Sequence, residues 1–309
     1  TISTIVNAAI NPVIDIIRKK LKIFDKIWIQ PASGDAGGSV GAALALYYDI
    51  FKNKRKVIPK KDSMKGAFLG PKFDEKQIST DLIKIGAKFV ILKKDKLFPK
   101  ITRFLTQGKI IGWMNGRMEF GPRSLGNRSI IADPRSKNMQ KKLNLKIKFR
   151  ESFRPFAPSI LIEDLQDWFE LNVSSPYMLF VADVKKNKQK KMNDKEKNYF
   201  GIKKLNVPRS NIPSVTHIDY SARIQTVHKN TNSDFYSLLK AFKEKTACPI
   251  LVNTSFNVRG EPIVCSPLDA FRCFMGTDLD VLVINNFILE KSKQSKNLIK
   301  KYHLEYELD

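Results

Sequence analysis

The chain has 309 residues, 42% of them hydrophobic, which is enough for a real core and excludes global disorder. No apolar run approaches the roughly 20 residues of a membrane span, and residues 1–11 lack the basic start and apolar core of a signal peptide. The formal charge of +25 fits nucleic acid or another polyanion, but the lysines are scattered, with runs at 52–61, 141–148 and 185–197, so a lysine-rich background explains it equally.

In chain order, 27–29 reads as a short strand, 31–38 as a small-residue loop and 40–51 as a helix. Residues 52–63 are basic, contain Pro59 and suit a linker. Helix and strand signals then alternate, which predicts an α/β or α+β domain. Helices are expected at 75–85, 97–107, 138–145, 161–169, 235–245 and 268–275. Strands are expected at 89–92, 109–114, 178–184, 250–252 and 281–284, the last taken as the final core strand. Residues 185–213 read as an exposed, partly disordered excursion, and the tail after Glu290 is charged. Cys248, Cys265 and Cys273 are an odd count without CxxC spacing or a nearby His, so buried thiols are the default over disulfide or zinc.

Five segments carry chemistry. Residues 116–128 place Arg117, Arg123 and Arg128 among glycines and a proline, a spacing that no single helix can present. Such guanidinium forks converge on phosphate or carboxylate, or form a solvated basic loop. Residues 146–158 alternate Lys148, Arg150 and Arg154 with Phe149, Phe153 and Phe156, a pattern that suits a ligand cavity, single-stranded nucleic acid or a basic surface strand. In 216–227, strand alternation would turn His217 and Asp219 to one side, where Asp219 could set the His tautomer, and Arg223 adds a further anion-binding candidate. Asn253, Ser255, Asn257 and Arg259 follow a strand, where ligands gather in open α/β sheets, although an Asx or Ser/Thr turn needs no ligand. Asp35 lies in the glycine loop 31–38, placed to hold a metal or to cap the following helix. No GxSxG or Cys–His pair supports nucleophilic catalysis.

Together, in order across 25–290, these segments resemble the O-carbamoyltransferase family of NodU/CmcH type, most specifically at 116–126, 153–158 and 253–264. The resemblance implies an α/β chain. Residues 62–290 would be a YrdC-like domain with a twisted mixed sheet and flanking helices. They would be preceded at 1–61 by the last strand and helix of an ASKHA-type domain and followed at 291–309 by a charged tail. It implies formation of carbamoyl adenylate from carbamoyl phosphate and ATP (with Mg2+), then transfer to a hydroxyl-bearing small molecule. By resemblance Arg117, Arg123, Arg223 and Arg259 surround the phosphates, and Lys148, Arg150, Arg154, Asn253, Ser255 and Asn257 line the pocket. His217 would touch the acyl group, and Asp35 would be a metal ligand. The family's iron site also uses histidines from the front of the ASKHA-type domain, whereas the histidines here are His217, His228 and His303. Fe2+ and the transfer step are therefore expected only with a separate ASKHA-type subunit or a longer chain. The expected setting is cytoplasmic. An RNA-binding YrdC-like module and a non-catalytic subunit are the rival readings.

Overall fold

The computed structural model describes residues 29–56, 58, 62–298 and 306. Nine strands form one mixed sheet: β1 (Val90–Ile91), β2 (Ile111–Met114), β3 (Arg128–Ala132), β4 (Ala157–Leu161), β5 (Phe180–Asp183), β6 (Ser221–Val227), β7 (Ile250–Ser255), β8 (Val281–Ile284) and β9 (Phe287–Glu290). Their order is β1-β9-β8-β2-β3-β7-β4-β6-β5. Only β2/β8 and β4/β6 pair in parallel; the other neighbours are antiparallel. This is an α/β fold with a large mixed sheet.

The main helices are α1 (Asp35–Ala45), α2 (Glu75–Lys84), α3 (Lys94–Thr106), α4 (Met139–Lys146), α5 (Ser233–Thr246) and α6 (Pro267–Met275). Their starts are chemically marked. Asp74 accepts from the Gln77 N–H at α2, and Asn232 accepts from Phe235 at α5. Ser266 and Asp269 form a capping box at α6, with Pro267 in the first turn. Helix α5 packs on β4, β7 and α3, while α6 packs on β2, β8 and α2. Trp113, Phe235, Phe242, Phe256, Phe274 and Phe287 are buried between these layers. No helix among the described residues is long and apolar enough to cross a membrane.

Several sequence expectations need correction. The strand 281–284 is not the last, because β9 folds back on β8 through Asn285 in a left-handed turn (φ 50°). The helix expected at 161–169 is instead the end of β4, a tight turn at Ile162–Asp164 and one helical turn at Leu165–Trp168. Strand β4 contains Pro158, which argues against a central strand. Its pairing with β6 begins only at Ser159, beyond the proline. Strand β3 was missed because its apolar run is short and follows directly on the glycine-rich loop. Most of the strand expected at 27–29 lies outside the described residues. The excursion at 185–213 holds short helical turns and one bridge, Gln189 to Ser210.

Candidate anion-binding site

The chemistry-bearing segments meet at one rim of the sheet. Met114 at the end of β2 pairs with Arg128 at the start of β3, and Ser255 at the end of β7 pairs with Ser129. Ala157, which opens β4, pairs with Asn253, and Ser159 pairs with Gln225 of β6. Arg223 therefore stands one row nearer the rim than Gln225. Paired residues share a face, so Asn253, Ala157 and Arg223 point the same way, with a small side chain in the middle.

The loop between β2 and β3 lies across this face and is held from inside. The Glu119 carboxylate is buried, and its Oε1 accepts from the N–H groups of Leu125 (2.7 Å), Asn127 (2.8 Å) and Arg128 (3.3 Å). Burial raises its pKa against those hydrogen bonds. The Arg128 guanidinium is fully buried and donates to the carbonyls of Asn127 (2.9 Å), Asn115 (3.2 Å) and Cys265 (3.2 Å), with longer bonds to Gly116 and Pro71. Gln225 Nε2 donates to the Leu125 carbonyl (2.6 Å), and Asn253 Nδ2 donates to that of Ser124 (3.2 Å). Gly126 has φ 107°, and a Cβ there would stand 2.3 Å from the Phe235 ring, so only glycine brings the loop this close.

That path carries Arg123 to Arg223. Burial lowers the pKa of both, and the Arg123 charge pushes Arg223 down further, to about 10. Both guanidinium groups stay charged at neutral pH. Neither has a hydrogen bond or ion-pair partner among the described residues. Close by, Asn253 Oδ1 and Ser124 Oγ are buried without partners. Two desolvated, mutually repelling cations beside unsatisfied polar atoms form a site that is complete only with an anion.

A second cluster adjoins it at the end of β7. Lys148 is buried, and its Nζ donates toward Ser255 O (2.5 Å), Ser255 Oγ (3.1 Å), Asn257 O (2.9 Å) and Asn257 Oδ1 (2.7 Å). Burial brings its pKa down to about 7, and the Arg150 charge adds to the fall. Arg150 donates to Asn144 Oδ1 (2.7 Å) and stacks over Phe156. Its pKa falls to about 10 through burial and then Arg154. Asn257 Nδ2 donates to Glu261 O, and the Glu261 carboxylate accepts from Val258 N–H, closing the loop on itself.

Other expected residues lie differently. The exposed Arg117 donates to Gly70 O (3.1 Å) rather than facing Arg123. Arg154 and Arg259 share Glu151, at 2.9 and 3.8 Å, so a carboxylate already engages both. Of the four arginines expected around the phosphates, Arg123 and Arg223 are the two that act on each other's charge. His217 and Asp219 are not aligned by strand alternation: they sit in a turn before β6, where Tyr220 N–H bonds back to His217 O. Ser221 joins them instead, with its Oγ 3.2 Å from His217 Nδ1 and 2.7 Å from Asp219 Oδ1. Asp35 is exposed in the first turn of α1, and no group of three His, Cys, Asp or Glu side chains converges among the described residues. These residues do not form an iron site. Sequence reasoning overlooked Glu119, Ser124 and Gln225, and it grouped Arg128 with the anion-binding forks, whereas Arg128 donates to backbone carbonyls. No local pattern marks a side chain whose partners are backbone groups.

A family model described as the carbamoyltransferase C-terminus matches residues 102–291, which hold the whole site. A Synechocystis protein described as uncharacterized is 52% identical over 93% of this chain and 47% of its own length. The nodulation protein NolNO of Sinorhizobium fredii is 37% identical over 88% of this chain and 37% of its own. The 3'-hydroxymethylcephem-O-carbamoyltransferase of Amycolatopsis lactamdurans is 36% identical over 52% of this chain and 26% of its own. The chain spans less than half the length of each of these relatives. With that family model spanning strands β2 to β9 and the loops at the rim, the chain belongs to the carbamoyltransferase C-terminal family.

Proposed function

We propose that this chain is the part of an O-carbamoyltransferase that binds carbamoyl phosphate and ATP and joins them as carbamoyl adenylate. The observation that carries this reading is the Arg123–Arg223 pair, desolvated and without an acceptor, beside the Lys148–Ser255–Asn257 cluster. Carbamoyl phosphate and ATP are both anions, and bringing them together is opposed by their repulsion. Fixed guanidinium groups in a site of low water content remove that opposition without reorganising during the reaction. The overall step balances as carbamoyl phosphate, ATP and one water giving carbamoyl adenylate, phosphate and pyrophosphate. Arg123 and Arg223 bind phosphoryl oxygens, and Lys148 and Arg150 shape the neighbouring wall. Mg2+ arrives with ATP. Within this reading, residues 62–290 are a YrdC-like domain and residues before 62 are the end of an ASKHA-type domain. Transfer to the hydroxyl acceptor, with divalent iron, needs the rest of an ASKHA-type half.

The test is to incubate the chain with Mg-ATP and carbamoyl phosphate and to assay phosphate and pyrophosphate. Release of both, dependent on both substrates, is the expected outcome. A folded sample that releases neither and binds no ATP overturns the reading.

A further inference from the structure

The lysine-rich excursion that follows β5 takes no part in the anion site. Between Lys185 and Lys204 it carries nine lysines against two carboxylates, Asp194 and Glu196. Its backbone is held as a closed loop with its ends joined. Gln189 and Ser210 pair at the base, Lys190 N–H donates to the Arg209 carbonyl (2.6 Å), and Gln189 Nε2 donates to Val184 O (2.7 Å). Asn193 and Glu196 form a capping box on the turn Asp194–Lys197. The buried Arg209 guanidinium donates to the carbonyls of Lys204 and Leu205, which ties the second turn, Gly201–Leu205, to the base.

Phe200 stands between the two turns and is 93% exposed. A single exposed apolar side chain is ordinary on a protein surface. The charges beside it set this one apart. Lys190, Lys191, Lys195 and Lys203 lie within ten residues of it in the chain, are exposed, and make no ion pair among the described residues. Other lysines of the loop are already engaged. Lys185 pairs with Glu170 (3.0 Å), Lys197 with Asp194 (2.7 Å), and Lys188 lies over the Trp168 ring (4.6 Å). A fixed loop thus presents one bare aromatic ring among four uncompensated cations, the composition of an interfacial anchor.

We propose that this loop docks the protein on an anionic phospholipid bilayer, with Phe200 seated among the headgroups and Lys190, Lys191, Lys195 and Lys203 against their phosphates. The match is one of charge and of shape. A bilayer offers many negative groups at one surface, with an apolar layer beneath them that a projecting ring can enter. RNA would attract the same lysines, but a single strand is held by successive stacking platforms. Here Phe200 is exposed alone, and its neighbour Tyr199 is half-buried. The inference does not rest on the nucleotide reading, because it uses no residue of the anion site.

The test is co-sedimentation of the whole chain with vesicles of phosphatidylcholine alone, and of phosphatidylcholine with about 30% phosphatidylglycerol, in about 0.1 M salt. The chain should partition onto the anionic vesicles and not onto the neutral ones. Phe200→Ser and the pair Lys190→Glu with Lys191→Glu should each weaken that partitioning at least about tenfold. Lys76→Glu with Lys84→Glu makes the same charge change on α2, which packs on α6 away from the β5 edge, and should stay within about twofold of wild type. The emission of Phe200→Trp should move to the blue on anionic vesicles, which reports entry of the ring. If the chain ignores anionic vesicles, or if the loop variants and the α2 control weaken binding equally, the proposal is overturned. Tighter binding to polyuridylate than to vesicles, lost in Phe200→Ser, would also overturn it and make the loop a nucleic-acid contact.

Discussion

Lys148 shows how one residue can be legible in the sequence while its partners are not. Its alternation with aromatics marked it as inward-facing, and it is buried. Its four oxygen contacts, however, are to Ser255 and Asn257 of its own fold, so it braces the site's wall. The three arginines of the 116–128 loop were equally visible, but their division of labour was not. Arg128 turns into the backbone, Arg117 outward to Gly70, and only Arg123 into the site, a choice made by Glu119 and Gln225 from a distance. Lys148 also gives a pH signature. Its folded pKa of about 7 lies below the ordinary lysine value of 10.5, so between these values the unfolded chain holds more protons. The burial penalty is fully present below pH 7 and is relieved as pH rises. The urea midpoint of the wild-type chain should therefore climb between pH 7 and 9.5 relative to Lys148→Met, with a slope of at most about 1.4 kcal/mol per pH unit. Parallel curves for the two proteins would refute this.

At the scale of elements, α2, α3, α5 and α6 were readable because caps and apolar spacing are local signals. Strands β3, β4 and β9 were not, because a short strand declares itself through partners distant in sequence. Val252 and Asn253 hold Pro158 and Ala157 in β4 despite the proline. The loop between β2 and β3 works as an element in its own right, tied down by Glu119 and Arg128 and sealed at Gly126. The Gly126 carbonyl also accepts from Trp113 Nε1 (2.7 Å), so the loop cannot lift without disturbing the core. Gly126→Ala should cost about 1–3 kcal/mol in stability, because the new methyl meets a fixed Phe235 ring and the backbone has a positive φ. It should also weaken phosphate binding, measured by calorimetry, by displacing Arg123. Unchanged melting together with unchanged phosphate affinity would show that the loop tolerates the shift.

At the scale of the molecule, the alternating signals announced an α/β or α+β class, and the family resemblance is matched by the model covering 102–291. The strand order was beyond reach, because only long-range pairing sets it. So was the gathering of all the chemistry at one rim. That gathering follows from the register: β2, β7 and β8 end where β3, β4 and β6 begin. The surplus of +25 is spread over the surface, but the unneutralised pair lies in one place. Arg123 and Arg223 repel each other, so an anion that bridges them stabilises the folded chain. The composition of the buffer then becomes a thermodynamic variable. In phosphate the protein should melt at a higher temperature than in chloride of equal ionic strength, with a gain of about 2.7 kcal/mol at a hundredfold excess over the dissociation constant. Arg223→Met should erase that difference while melting no lower than the wild-type chain does in chloride, as if a permanent counterion had been built in.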